Sequence, residues 1–212
     1  MKIVIPAREG SKGLPHKNRT LLEHTLAKIP KNLKDSVIIT TDDKFIIEKT
    51  ENEFNVLKRR KELSADDIST KDVILNVIEE YEIGGDEIII MLYLTYPERQ
   101  WKEIENAISF FKNSKGATSL LCKKETKTHP WLCLIEEGEN FGKQIVEHNL
   151  YRRQDYPKCF EISHYISIFY ASGVQFLNKN LYNSKTVFYP IEEKVDVDTY
   201  KDLKRFHDQN NC

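Results

Sequence analysis

Short β-branched runs alternate with segments of helical period along most of this chain, and that alternation demands a sheet with helices packed on its faces. Strands are expected at Lys2 to Pro6, Ser36 to Thr41, Glu87 to Leu94 and Ala117 to Cys122. Between them Leu21, Leu22, Thr25, Leu26 and Ile29 fall on one helical face, as do Val73, Ile74, Val77, Ile78 and Tyr81. Ser69, three residues ahead of Asp72, gives the second of these helices a capping-box start. A third helix turns Trp101, Ile104, Ala107, Ile108 and Phe111 inward and leaves Lys102, Glu103, Glu105 and Asn106 to water. With 212 residues and 40% hydrophobic content, the chain has material for one substantial core, so a single domain over 1–212 is expected.

From Thr126 to about Ser172 the pattern loosens. Glu136 to Gly142 is acidic and turn-rich, and Tyr151-Arg152-Arg153-Gln154-Asp155-Tyr156-Pro157 is polar with aromatic anchors. This stretch, 126–172, reads as an excursion from the sheet that serves as a lid, a dimerisation arm, or both. The chain then returns through Tyr165 to Tyr170 and Val187 to Tyr189 to a last short strand around Val195.

Charge narrows the function classes. Lys plus Arg total 32 against 33 Asp plus Glu, and a net charge of -1 argues against a general nucleic-acid or membrane-surface binder. No apolar run reaches the length of a membrane span, and Met1-Lys2-Ile3-Val4 enters a strand without a signal-peptide pattern, so a soluble, cytoplasmic protein is expected. Cys122, Cys133, Cys159 and Cys212 form no C-x-x-C pair and the six histidines lack zinc-ligand spacing, so the cysteines read as reduced thiols.

Behind the first strand, Ile5-Pro6-Ala7-Arg8-Glu9-Gly10-Ser11-Lys12-Gly13-Leu14-Pro15-His16-Lys17-Asn18 packs two glycines among cations and an amide. Such a strand-loop-helix turn can aim backbone N–H groups and cations at one anion, with Gly10 and Gly13 letting the backbone approach. The spacing is neither a Walker loop nor a dinucleotide fingerprint. Residue types alone fit an anion grip and equally a glycine-rich connection with solvated lysines.

Val195-Asp196-Val197-Asp198-Thr199 follows a period of two, which in a strand sends both carboxylates to one face. Two acids in one small volume suit Mg²⁺, which takes its other oxygens from water and substrate phosphates. The same pattern also describes an edge strand with a polar face, and Asp198 could cap a closing helix through Tyr200, Leu203 and Phe206. Thr40-Thr41-Asp42-Asp43 ends the second expected strand, where Asp42 or Asp43 either caps a helix or reaches a ribose or metal. Arg59-Arg60-Lys61 is a basic knot of the kind that is usually solvated.

Taken in order, IPAREGSKGLPHKN, TTDD, RRKELSADDIST, YLTYPERQW, RRQDYP and VDVDT resemble the cytidylyltransferases that activate acidic nine-carbon sugars, the CMP-sialic acid synthetases. A related family activates the eight-carbon acid KDO. The resemblance implies transfer of CMP from CTP to a sugar hydroxyl with release of pyrophosphate. It also implies a three-layer α/β/α nucleotide-diphospho-sugar transferase fold with a mixed sheet, Mg²⁺ as cofactor, and a homodimer. Arg8, Ser11, Lys12, Gly13, Lys17 and Asn18 match that family's triphosphate loop, Asp196 and Asp198 its metal pair, and Ser64, Ala65, Asp66 and Ser69 the stretch that frames the nucleoside. Arg153 and Gln154 match a motif near the acceptor sugar and dimer partner. By this resemblance Arg8, Lys12, Lys17 and Asp198 are the expected catalytic residues.

The departures are as informative. Where the family reads Leu-Gln-Pro-Thr-Ser-Pro-Leu-Arg, this chain reads Leu92-Tyr93-Leu94-Thr95-Tyr96-Pro97-Glu98-Arg99, keeping Arg99 but placing Tyr93 where a glutamine reads the cytosine edge. Arg-Pro-Asn-Gly-Ala becomes Glu161-Ile162-Ser163-His164-Tyr165, which removes a positive charge and a glycine from the acceptor region. The alternatives are a CMP-KDO-type or other nucleotide-sugar synthetase with altered base or acceptor, and a nucleotide-binding relative without chemistry.

Overall fold

A computed structural model describes residues 1–65 and 67–210. Four strands, β1 (Lys2–Pro6), β2 (Val37–Thr41), β3 (Asn55–Lys58) and β4 (Ile88–Met91), run parallel in the spatial order β3-β2-β1-β4. The sheet continues through β8 (Phe160–Tyr170), antiparallel to both β4 and β5 (Ser119–Glu125), and ends with β9 (Thr186–Pro190) beside β5. Strands β6 (Leu134–Glu136) and β7 (Gly142–Gln144) form a separate hairpin.

The period of two divides the sheet's side chains between two cores. Ile3, Ile5, Val37, Ile39 and Ile90 face a layer with α1 (Lys17–Leu26), α4 (Trp101–Asn113) and α5 (Tyr200–Asn210), whose Leu21, Leu22, Ile104, Phe111 and Phe206 are buried there. Val4, Ile38, Ile89 and Met91 face the opposite layer, built from α3 (Thr70–Glu80) and the 3-10 turn Ala171–Phe176. Each fully buried Leu or Ile in these layers contributes on the order of 1.5–3 kcal/mol of transfer free energy.

The three expected helices form. Ser69 caps α3, its hydroxyl accepting from the Asp72 N–H, and Ile104, Ala107 and Phe111 are the buried face of α4. Asp43 caps α2 (Lys44–Thr50), accepting from the Phe45 N–H at 2.9 Å.

Two expectations are corrected and one strand is added to them. The excursion ends at Cys159, because Phe160–Tyr170 is a strand of the main sheet whose Tyr165, Ile166, Ile168 and Phe169 are buried between β4 and β5. Asn55–Lys58 is an additional edge strand. No strand forms at Val195–Asp198: the Val197 N–H bonds the Thr95 carbonyl at 2.8 Å, but the Val195 N–H is taken by the Glu98 side chain, so no ladder propagates. The alternation survives, with Val195 and Val197 buried and Asp196 and Asp198 exposed.

Candidate active site

The strand order changes direction between β1 and β4, and the crevice outside the carboxyl ends of such strands is where open α/β sheets bind ligands. A cavity of about 470 Å³ opens there. The loop after β1 lines it with Arg8, Ser11 and Lys12, and the start of α1 with Lys17 and Asn18; the segments after β3 and β4 add Arg59, Ala65, Tyr93 and Thr95.

The loop's shape is held from below. Gly10 adopts φ +84°, and His16, just ahead of α1, sits at φ 56°, so the chain reverses twice in a short span. Asn18 Nδ2 donates to the Arg8 carbonyl at 2.8 Å, the Glu9 N–H donates to Asp42 Oδ1 at 2.8 Å, and Thr41 Oγ1 donates to the Ala7 carbonyl at 2.5 Å. Arg19 bridges Glu9 and Asp43 at 2.8 and 2.7 Å. Of the two acids at Thr40-Thr41-Asp42-Asp43, Asp42 holds the loop backbone and Asp43 caps a helix.

Gly13 is required by close approach. A Cβ there would lie 2.5 Å from the Asp198 carbonyl oxygen, so the loop and the Val195–Asp198 segment fit together only with a hydrogen at this position. Across this contact Lys17 Nζ lies 2.5 Å from Asp198 Oδ1. Asp198 does not cap α5: Thr199 Oγ1 accepts from the Asp202 N–H, and Asp202 Oδ2 accepts from the N–H groups of Thr199 and Asp198.

Asp196 has the side chains of Thr95 and Tyr96 beside it, both favouring its charged form. Its carboxyl nevertheless titrates above the usual range, because crowding by protein strips solvent from it and the like charge of Asp198 adds to the effect, although the residue meets solvent on its open side. Among the described residues no group of three or more His, Cys, Asp or Glu side chains could hold a metal ion. Two neighbouring carboxylates beside a cation-lined cavity therefore fit a hard cation that arrives with phosphate oxygens, which is how Mg²⁺ is commonly bound.

Arg59 is the residue that sequence reasoning set aside. It is buried, donating from Nη2 to the Thr40 carbonyl at 2.9 Å, and desolvation lowers its pKa from the ordinary arginine value. Tyr93 reaches Thr70 Oγ1 at 2.6 Å and meets the His164 ring edge-on with centroids 5.8 Å apart. Burial raises the Tyr93 phenol and lowers the His164 imidazole.

Other expected site residues lie elsewhere. Ser64 accepts from Arg8 Nη1 through its carbonyl at 3.5 Å, while Ser69 serves as the cap of α3. Asp66 lies outside the described residues. Arg99 does not line the cavity: it is buried beneath Tyr93, donating to the carbonyls of Tyr165 and Tyr93 at 2.6 and 3.0 Å, between the rings of Tyr96 and Tyr165. Desolvation lowers its pKa to about 10. Arg153 and Gln154 stand in a 3-10 turn at the base of the hairpin arm, where Arg153 lines a different cavity with His129 and Tyr156. Glu161, which replaces an arginine of the resembled pattern, pairs with Lys124 at 3.4 Å.

The chain's likenesses agree with this geometry. A family model described as cytidylyltransferase matches residues 2–211. The chain belongs to the cytidylyltransferase family. An N-acylneuraminate cytidylyltransferase of Streptococcus agalactiae serotype V is 29% identical over 214 residues, covering 94% of this chain and 51% of that protein. The chain thus spans about half the length of the streptococcal relatives it matches. A CMP-N,N'-diacetyllegionaminic acid synthase of Legionella pneumophila is 27% identical, with 92% of this chain and 90% of that protein covered. The structure of a CMP:2-keto-3-deoxy-manno-octonic acid synthetase complexed with CTP superposes with a TM-score of 0.69 at 15% identity, covering 99% of this chain and 98% of that one. That likeness shows a shared nucleotidyltransferase fold. No helix among the described residues of this family member is long and apolar enough to cross a membrane.

Proposed function

We propose that this cytidylyltransferase moves CMP from CTP to the hydroxyl of an acidic, sialic-acid-like sugar, with Mg²⁺ and with release of pyrophosphate. The observation that carries the reading is the convergence of Arg8, Lys12, Lys17 and Arg59 on one cavity, with Asp198 paired to Lys17 and Asp196 beside Thr95, both of which line it. Four cations suit a triphosphate, and held in place they stabilise charge gathering on the departing pyrophosphate. A cation bound by the two aspartates would polarise the α-phosphate. Lys17 neutralises Asp198 until a nucleotide competes for its ammonium group.

The region of Ala65, Ile68, Thr70 and Tyr93 forms the apolar end of the cavity and suits a base. The acidic sugar rests on family membership and on the streptococcal and Legionella relatives, which are named for nine-carbon acids. Two copies pair through the arm in this reading, because Leu134, Ile135, Phe141, Ile145 and Tyr151 are more than half exposed on one short excursion.

Pyrophosphate release is the test, measured with Mg²⁺ for each of the four ribonucleoside triphosphates against nine-carbon and eight-carbon acidic sugars and neutral controls. Release with CTP and an acidic sugar is expected. Release with another base would assign altered base choice to Tyr93, and nucleotide binding that Mg²⁺ does not tighten, without release, would replace the enzyme by a binding protein.

A further inference from the structure

The Val195–Asp198 segment presents two carboxylates without belonging to the sheet, so something other than a strand ladder must fix its direction. Its apolar side is held by burial of Val195 and Val197. Its backbone is held at two points by the turn after β4. One is the Val197 N–H bond to the Thr95 carbonyl at 2.8 Å, which any sequence could supply. The other is the Val195 N–H bond to Glu98 Oε1 at 2.6 Å, which depends on a side chain. Glu98 is itself anchored: its carbonyl accepts from Gln100 Nε2 at 3.0 Å, and its neighbour Arg99 is pinned by two carbonyls in the core.

We propose that Glu98 is a positioning residue for the metal pair: by accepting from the N–H immediately before Asp196 it sets the aim of Asp196 and Asp198 toward the divalent cation. The inference rests on the metal reading of those two aspartates. A carboxylate acceptor makes a short, charge-assisted bond, and a lost bond here frees the backbone at the residue next to a ligand. The resembled pattern carries leucine at this position, which has no acceptor, so the device belongs to this chain.

The test is Mn²⁺ binding, followed by paramagnetic resonance with CTP present and no sugar, for the parent chain and for Glu98→Leu, Glu98→Asp, Glu98→Gln and Asp198→Asn. Glu98→Leu is expected to weaken Mn²⁺ by about 10- to 100-fold. Glu98→Asp keeps the charge but withdraws the acceptor by one methylene, and the same loss is expected; it also carries the test if the leucine variant does not fold. Glu98→Gln keeps an acceptor oxygen and should hold affinity within about threefold of the parent, well inside the range of a lost supporting bond. Parent-like Mn²⁺ affinity in Glu98→Asp or Glu98→Leu would overturn the proposal, as would a loss in Glu98→Gln as large as in Glu98→Leu. Asp198→Asn separates the two levels: if it binds Mn²⁺ like the parent, the metal reading fails, whereas its loss of Mn²⁺ beside unaffected Glu98 variants removes only the positioning role.

Discussion

The crevice outside β1–β4 and the arm over 126–159 handle their side chains in opposite ways. Around the crevice, polar and charged groups are tied to backbone or to one another: Asn18 to the Arg8 carbonyl, Arg19 to Glu9 and Asp43, Lys17 to Asp198, Arg59 to Thr40. Along the arm, Phe141 is 76% and Leu134 64% exposed, while the aromatic group of His129, Trp131, His148 and Tyr156 packs together. The first region is organised by one chain; the second has apolar surface that one chain does not cover. The crevice half is therefore expected to keep its form in a protomer by itself, while the arm would gain its burial from the proposed association.

The largest expected effect lies on the crevice side. Asp198→Asn removes one carboxylate of the pair and the partner of Lys17 while leaving the buried valines in place, so turnover should fall by at least about 100-fold. Circular dichroism should stay unchanged, and pyrophosphate release is the readout. Gly13→Ala comes next. Its new Cβ would meet the Asp198 carbonyl at 2.5 Å, forcing the loop and the aspartate segment apart. A displacement of this kind costs on the order of 10- to 100-fold in turnover.

The arm is expected to respond in the reverse sense. Leu134→Asp combined with Phe141→Asp adds charge to an exposed apolar surface and should convert the proposed dimer to monomers in sedimentation. Protomer stability should change by only about 0.5 kcal/mol, since neither side chain is buried. A large drop in melting temperature for the monomeric species would contradict the contrast. The smallest effect is chemical and leaves stability untouched. Burial pushes the Cys122 thiol, on β5, up to about 12, whereas Cys133 and Cys159 belong to the arm and are partly exposed. Iodoacetamide at neutral pH should label the arm thiols and spare Cys122 until the sheet unfolds.

The sequence was most legible where local patterning and tertiary burial agree. Ile3 to Ile5, Ile38 and Ile39, and the stripe of α4 announce their elements because each is buried as its period requires. Asn55–Lys58 escaped because three half-buried residues and an exposed lysine at a sheet edge carry no alternation that distinguishes them from a loop. Glu161 and Ser163 disguised the start of β8, since polar residues there are satisfied by Lys124 and Tyr96 from neighbouring elements. Near the cavity, the β1 loop and the alternation of Val195 and Val197 with Asp196 and Asp198 were readable from spacing, although that alternation runs along extended chain instead of a strand. Arg59 was hidden in a run of three basic residues, and only its burial against Thr40 separates it from the exposed Arg60 and Lys61. Arg99 matched a motif yet lies under the cavity floor, because a motif records which residue recurs and not which way it faces.

The most direct measurement of the central claim is product analysis by mass spectrometry after incubating the chain with CTP, Mg²⁺ and a nine-carbon acidic sugar. The account predicts a CMP-sugar conjugate in equal amount to pyrophosphate, abolished by Asp198→Asn. Tight CTP binding with neither conjugate nor pyrophosphate across the acidic sugars would contradict it.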